Sequence, residues 1–336
     1  MRHTIGEALK FQQLQRLATR KSTGSTLPDI ILHHYHTSPF SEKVRLILGY
    51  KGLAWQSVLI PQIMPKPDVV ALTGGYRRTP FMQIGADIYC DTALICDELE
   101  RRYPTPSLYP VEVPAGLVDT VAQWADNQLF WWGAIAYSFQ SKAMAFIFDG
   151  VPAEIVKAFA ADRAAMRAGA PRTPAADAAG MLRVYLQQID SMLARTPWLL
   201  GQTPSLADFA AYHPLWFVRR ITPLADILSS TQHVLPWMDR VAAMGHGTPA
   251  KLASADAIRI AHDTKPEAPT CEWHDEHGIA AGDPVTVTPL DYAFDPVAGE
   301  LVAATAKSYA LRRFDERAGE VVVHFPRVGF KLEKAH

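Results

Sequence analysis

Between Tyr103 and Pro110 the sequence reads YPTPSLYP, and Pro104, Pro106 and Pro110 force extended backbone through it. Neither a helix nor a central strand runs across such a stretch, so the chain divides there. Before it, short elements alternate. Ile30, Ile31 and Leu32 form an apolar strand, and Phe40, Val44, Ile47 and Leu48 recur at helical spacing. A second strand covers Trp55 to Ile60, and Pro65 and Pro67 leave room only for a short helix over Asp68 to Leu72. Strands at Pro80 to Ile84 and Asp87 to Cys90 meet at a tight Gly85-Ala86 turn. Thr92, Ile95, Cys96 and Leu99 then mark another helix. The order β-α-β-(α)-β-β-α predicts a parallel crossover followed by a hairpin.

Beyond the linker the pattern predicts helices alone, with no strand from about Pro114 to Ala261. Past Pro266, Val285 to Thr288, Glu300 to Phe314 and Glu320 to Phe330 are β-rich, with turn signals at Asp283-Pro284, Asp295-Pro296, Ala298-Gly299 and Ala318-Gly319. The expected fold class is therefore α/β plus all-α. It comprises a tail (1–28), an α/β domain (29–108), an all-helical domain (109–266) and a small antiparallel β module of three to five strands (267–336).

Charge and composition narrow the function. The 336 residues carry a net charge of −1 and no basic block, which leaves a nucleic-acid surface without electrostatic support. Apolar residues make up 49%, enough for ordinary cores. No apolar run is long enough to cross a bilayer. The cysteines Cys90, Cys96 and Cys271 form no disulfide framework and fit a reducing, cytoplasmic setting. Arg2, Lys10, Arg16, Arg20 and Lys21 against the single acid Glu7 also match an organellar transit peptide; the reading adopted is a plain tail.

Three motifs carry chemistry. In HHYHTSPFSEKVR (33–45), Ser38 stands at a helix N-cap with Pro39 at the first helical position. Asp91-Thr92 opens another helix, whose free N–H groups and dipole suit an anion; Asp91 as a simple cap is the alternative. Ser205-Leu206-Ala207-Asp208 is a capping box with a structural role. The aromatic helix WADNQLFWWGAIAYSF (124–139) reads mostly as core, with Trp131 and Trp132 as candidates for a pocket wall. Cys271, His274 and His277 lack a fourth ligand and read as a solvated linker, so no metal is expected.

SPFSEKVR (38–45), RRTPFMQIGADIYCDTALICDELERRYPTPSLYP (77–110) and WLLGQTPSLADFAAY (198–212) together resemble the glutathione S-transferase family, over about residues 29 to 262. The SPFSEKVR match is to its omega-like, zeta-like and bacterial Ser-type branches. The C-terminal β module is an addition to the ordinary family pattern. The resemblance implies a thioredoxin-like N-terminal domain followed by a helical domain. It implies glutathione as co-substrate, no metal, and a homodimer joining the thioredoxin-like unit of one chain to the helical domain of the other. It implies a cis Thr79–Pro80 bond with the Thr79 backbone facing the cleft. Phe40, Arg78, Thr79, Pro80, Asp91 and Thr92 form the implied glutathione-binding set; Arg77 or Arg78 pairs with the glycine carboxylate of glutathione, with a solvated basic pair as the alternative. Asp-Thr stands where the family more often has Glu-Ser.

Ser38 is then the residue that stabilises the bound thiolate, with Tyr35 as its competitor, and His33, His34 and His36 are strand-end or surface residues. A serine where omega-like members have cysteine points to conjugation, isomerisation or dehalogenation of a small hydrophobic electrophile. Two other functions stay open: a non-catalytic glutathione-binding or scaffolding protein, and a glutathione-dependent lyase or thiol transferase.

Overall fold

A computed structural model describes residues 30–170, 173–267, 272–274 and 276–335. The tail reading and Cys271 lie outside the described residues. The first domain forms as the alternation predicts: β1 (Ile31–His34), α1 (Pro39–Tyr50), β2 (Ala54–Leu59), α2 (Pro67–Thr73), β3 (Phe81–Ile84), β4 (Asp87–Cys90) and α3 (Thr92–Arg102). β1 pairs parallel with β2 and antiparallel with β3, and β3 and β4 form the hairpin. The helical domain runs through α4 (Ala115–Trp124), a π-helical stretch (Ala125–Ile135), α5 (Ala136–Ser138), α6 (Ser141–Ile147), α7 (Ala153–Arg167), α8 (Ala175–Leu193), α9 (Leu206–Arg220), a 3-10 segment (Thr222–Ser230) and α10 (Val234–Ala242). α9 is its buried axis. The capping box is formed, with Asp208 accepting from the Ser205 amide at 2.9 Å and from Trp237 Nε1 at 2.9 Å.

One expectation about the elements needs correcting. Helices alone from Pro114 to Ala261 fails at β5 (Thr248–Lys251), which pairs parallel with β2 from Ala54 to Ser57. All four β5 residues are exposed, so the strand has no apolar alternation to betray it; backbone pairing holds it. α11 (Ser254–Asp263) then returns under the sheet and buries Ala257, Ile258 and Ala261 in the α/β core. The all-helical region therefore ends at α10; residues 248–251 join the sheet and α11 packs on it.

The C-terminal β module forms as antiparallel strands and also joins the same sheet. β6 (Pro284–Pro289), β7 (Val297–Ala304), β8 (Ser308–Asp315), β9 (Gly319–Pro326) and β10 (Phe330–Lys334) pair antiparallel among themselves, and β9 adds in parallel to β4. The result is one ten-stranded sheet, β10-β6-β7-β8-β9-β4-β3-β1-β2-β5. Val321, Val323 and Phe325 share a core with Phe81 and Ile88, each such side chain contributing about 1.5–3 kcal/mol on burial. His324 on Asp87 (2.7 Å) adds a partly buried polar tie. Among the described residues no helix is long and apolar enough to cross a membrane.

β5 docks through a close backbone approach. A Cβ on Gly49 of α1 would lie 2.0 Å from the Gly245 carbonyl oxygen. On helix propensity alone Gly49→Ala gains roughly 1 kcal/mol. The contact with fixed backbone reverses this, and thermal unfolding of Gly49→Ala is expected to show a lowered Tm; a raised Tm contradicts the docking.

His33 and His34 are not surface residues. Both are 1% exposed: His33 stacks on Phe81 and bonds Gln83 at 2.8 Å, while His34 bonds Ser57 at 2.8 Å. Burial pushes His33 down to about 4 and, with Arg45 beside it, His34 to about 3. In the unfolded chain each titrates near 6.5, so below that pH the unfolded state binds protons that the native state does not. Stability is full above about 6.5 and falls as pH drops towards 4, by about 3 kcal/mol for His33. Urea unfolding across that window is expected to show a shallower pH dependence in His33→Phe; an unchanged slope contradicts a neutral buried imidazole.

Candidate functional site

The site lies where β1 hands over to α1, beside the turn into β3 and the start of α3. Ser38 is the N-cap of α1, 2% exposed, and its Oγ accepts from the Ser41 amide at 3.2 Å. The same hydroxyl donates to the Thr79 carbonyl at 3.5 Å, the outer limit of a hydrogen bond. A sulfur anion brought to this point is a better acceptor than that carbonyl, because a charged acceptor roughly doubles the bond. The Thr79–Pro80 bond is cis, and Thr79 Oγ1 is buried with no hydrogen-bond partner. The Ser38 amide donates to the Tyr35 carbonyl at 3.2 Å, and burial raises the Tyr35 phenol above its ordinary value. It is neutral at neutral pH and has a proton to donate, not a charge.

Much of the quoted motif proves to be scaffolding. Arg45, 5% exposed, pairs with Glu42 at 2.6 Å, meets His34 Nδ1 at 3.1 Å and donates to the Tyr35 and His36 carbonyls at 3.4 and 3.1 Å. One guanidinium thus holds the loop that presents Ser38. His246, from the turn before β5, closes the far side on Glu42 at 3.0 Å.

Asp91 caps α3 by accepting from the Ala93 amide at 3.0 Å, and it does so at φ 74°. A non-glycine residue in that region stores strain of about 1–3 kcal/mol, a cost that surrounding structure must hold in place. Arg78 Nη1 stands 3.9 Å from Asp91. Thr92 is 5% exposed and accepts from Lys43 Nζ at 3.4 Å. Ser38 therefore touches Tyr35 and Thr79, and Arg78, the residue before Thr79, stands against Asp91 at the start of α3. Phe40 instead packs between the domains, 4.6 Å from both Phe130 and His213 ring centres. Trp131 lies against Phe130 and Tyr292, whereas Trp132 is 55% exposed. Arg77 pairs with Asp162 of α7 at 2.5 Å.

Sequence reasoning missed a buried ion network behind α3. Lys43, 1% exposed, pairs with Asp126 at 2.6 Å, and Asp126 accepts from His213 Nε2 at 2.9 Å. Against the burial that pushes it up, Lys43 and then His213 hold the Asp126 carboxyl below its usual range. Burial pushes the His213 imidazole below its ordinary value, and its Nδ1 has no hydrogen-bond partner. The legible signal was Asp126 as the sole acid between residues 120 and 148, inside an apolar helix. Also missed was Lys66, 3% exposed, whose amine is pushed down to about 8 by burial and by Arg163 and Arg77 nearby. Among the described residues no three His, Cys, Asp or Glu side chains converge as metal ligands.

Lys43→Met strands the Asp126 charge and is expected to cost about 3–5 kcal/mol in chemical denaturation. Adding Asp126→Leu is expected to restore much of that loss. A double variant no more stable than Lys43→Met contradicts the coupling.

Residues 32–107 match the glutathione S-transferase N-terminal domain and residues 174–240 the glutathione S-transferase C-terminal domain. The crystal structure of a GST-like protein from Pseudomonas syringae is 40% identical, covers 92% of this chain and 100% of its own, and superposes with a TM-score of 0.77. FtsZ-localized protein A of Caulobacter vibrioides is 26% identical over 54% of this chain and 73% of its own length. Pyrimidodiazepine synthase of Drosophila melanogaster is 30% identical over 26% of this chain and 40% of its own length. With both domain models matched in order around the Ser38–Thr79 geometry, and a 40% identical relative aligned from end to end, the chain belongs to the glutathione S-transferase family.

Proposed function

We propose that the protein binds glutathione and activates its thiol for attack on a small hydrophobic electrophile. The observation that carries this reading is the Ser38 hydroxyl, fixed at a helix N-terminus with only a marginal acceptor, the Thr79 carbonyl at 3.5 Å. The Thr79 backbone supplies strand-like pairing for the cysteinyl unit, and Pro80 holds it at the start of β3. The N-terminus of α3, with Thr92, takes the γ-glutamyl carboxylate, and Asp91 its ammonium. Arg78 serves a tripeptide carboxylate.

A free thiol of about 8.5 is ionised to a few per cent at neutral pH. Hydrogen bonding from Ser38 and the α1 dipole both favour the thiolate, and each unit of lowering is worth about 1.36 kcal/mol. The nucleophile is the ligand's sulfur, and Ser38 stabilises it without taking its proton. Trp131 walls the electrophile side, and Trp132 belongs to that wall only if the π-helical stretch turns. The family pattern further supports a cytoplasmic homodimer.

Thiol transfer is disfavoured by the cysteines. Cys90 and Cys96 are fully buried, and burial pushes Cys96 up to about 12 and Cys90 well above the ordinary value. Neither is a nucleophile among the described residues. The reading with a specific observation behind it is a non-catalytic glutathione-binding scaffold. Arg78 is already engaged by the C-terminal extension (Asp291 at 2.6 Å), and FtsZ-localized protein A is named for where it resides and not for a reaction.

Retention on immobilised glutathione, then a panel of electrophiles, separates the two. Ser38→Ala is expected to keep glutathione affinity while turnover falls roughly ten- to a hundred-fold, for loss of one charge-assisted bond of about 1.5–3 kcal/mol. Full activity in Ser38→Ala with none in Tyr35→Phe transfers the role to Tyr35; retention without turnover of any electrophile supports the scaffold.

A further inference from the structure

Arg78 meets the loop between β6 and β7, residues 290–296. Arg78 Nη2 pairs with Asp291 at 2.6 Å, and Nε donates to the Tyr292 carbonyl at 2.7 Å. The Tyr292 ring meets Trp131 at 4.7 Å between centres, its hydroxyl lies 3.5 Å from Met166 Sδ, and the Ala293 amide donates to the Met166 carbonyl at 2.8 Å. The loop thus spans from the thioredoxin-like unit to the helical domain, beside residues that the glutathione reading assigns to a ligand.

The two partners of the Asp291–Arg78 pair are unequal. The Arg78 side chain is 15% exposed, and its guanidinium lies 5.6 Å over the Phe330 ring. A cation so placed needs a close anion, and its second carboxylate, Asp91, stands off at 3.9 Å. Asp291 is 41% exposed and returns to water at little cost, as exposed ion pairs do. Ala293, next along, adopts φ 51°, a left-handed conformation disfavoured for any residue with a Cβ. The loop therefore holds its place against local strain, and the arginine keeps its requirement whichever carboxylate answers it.

We propose that Asp291 is an internal stand-in for a ligand carboxylate at Arg78, displaced from it by a carboxylate of a glutathione-type ligand, so that the C-terminal extension regulates the site it borders. This rests on the glutathione reading above. Ligand and loop compete for one guanidinium, and each weakens the other by the same factor. The extension is thereby a brake on binding that a γ-glutamyl peptide releases.

Titration calorimetry of the full chain with glutathione tests this. Asp291→Asn is expected to bind about tenfold more tightly than the natural protein, the effect of losing one competing charge-assisted contact. Arg78→Gln is expected to weaken binding and to abolish the gain in the double variant. In the natural protein, amide exchange over residues 290–296 is expected to quicken when glutathione is added. Equal or weaker binding by Asp291→Asn, or exchange that slows or stays unchanged, overturns the brake while glutathione binding stands. Absence of glutathione binding in both the natural protein and Asp291→Asn, even at millimolar concentration, overturns the glutathione reading and the brake with it.

Discussion

The structure depends on how the two open edges of a four-strand unit are covered. In the order β4-β3-β1-β2, β4 and β2 each present an unpaired row of backbone donors and acceptors. β5, nearly two hundred residues after β2, covers one; β9, more than two hundred after β4, covers the other. Both closures use parallel pairing, which a local hairpin cannot supply. Each also delivers something to the site. The turn before β5 brings His246 to Glu42 and so braces the Arg45 clamp under Ser38. The β9 closure fixes the extension so that its β6–β7 loop reaches Arg78.

The thioredoxin-like unit was legible because its elements carry their own periodicity. Val44, Ile47 and Leu48 on α1, and the hairpin about Gly85, are local patterns with local causes. β5 was not legible, because Thr248–Lys251 is exposed throughout and is a strand only by virtue of the edge it meets. The β module was visible as strands, but its attachment to β4 is a long-range fact that no alternation encodes. His33 and His34 were misplaced for a related reason. A histidine pair at a strand end suggests solvent, whereas Phe81, Gln83 and Ser57, all remote in sequence, supply the stack and the hydrogen bonds that make burial tolerable.

In the candidate site the short-range features were the readable ones: the Ser38 cap, the Thr79–Pro80 step and the α3 N-terminus each sit within a few consecutive residues. Pairings across domains were not. Lys43 with Asp126, and Arg78 with Asp291, join residues 83 and 213 positions apart. The π-helical stretch is one reason for the first, since it shifts the register of Asp126, Phe130 and Trp131 relative to a regular helix. A π-helical stretch at that point is itself a common mark of a functional helix.

Ser38 and Thr79 together define the account: a helix cap whose hydroxyl has a marginal partner, waiting for a sulfur anion. The most direct measurement is an ultraviolet titration of the thiolate of glutathione bound to the natural protein, compared with glutathione bound to Ser38→Ala. The account predicts a bound thiol ionising well below its free value of about 8.5 in the natural protein and close to it in Ser38→Ala. A bound thiol that ionises at its free value in the natural protein, or at the same lowered value in both, would contradict it.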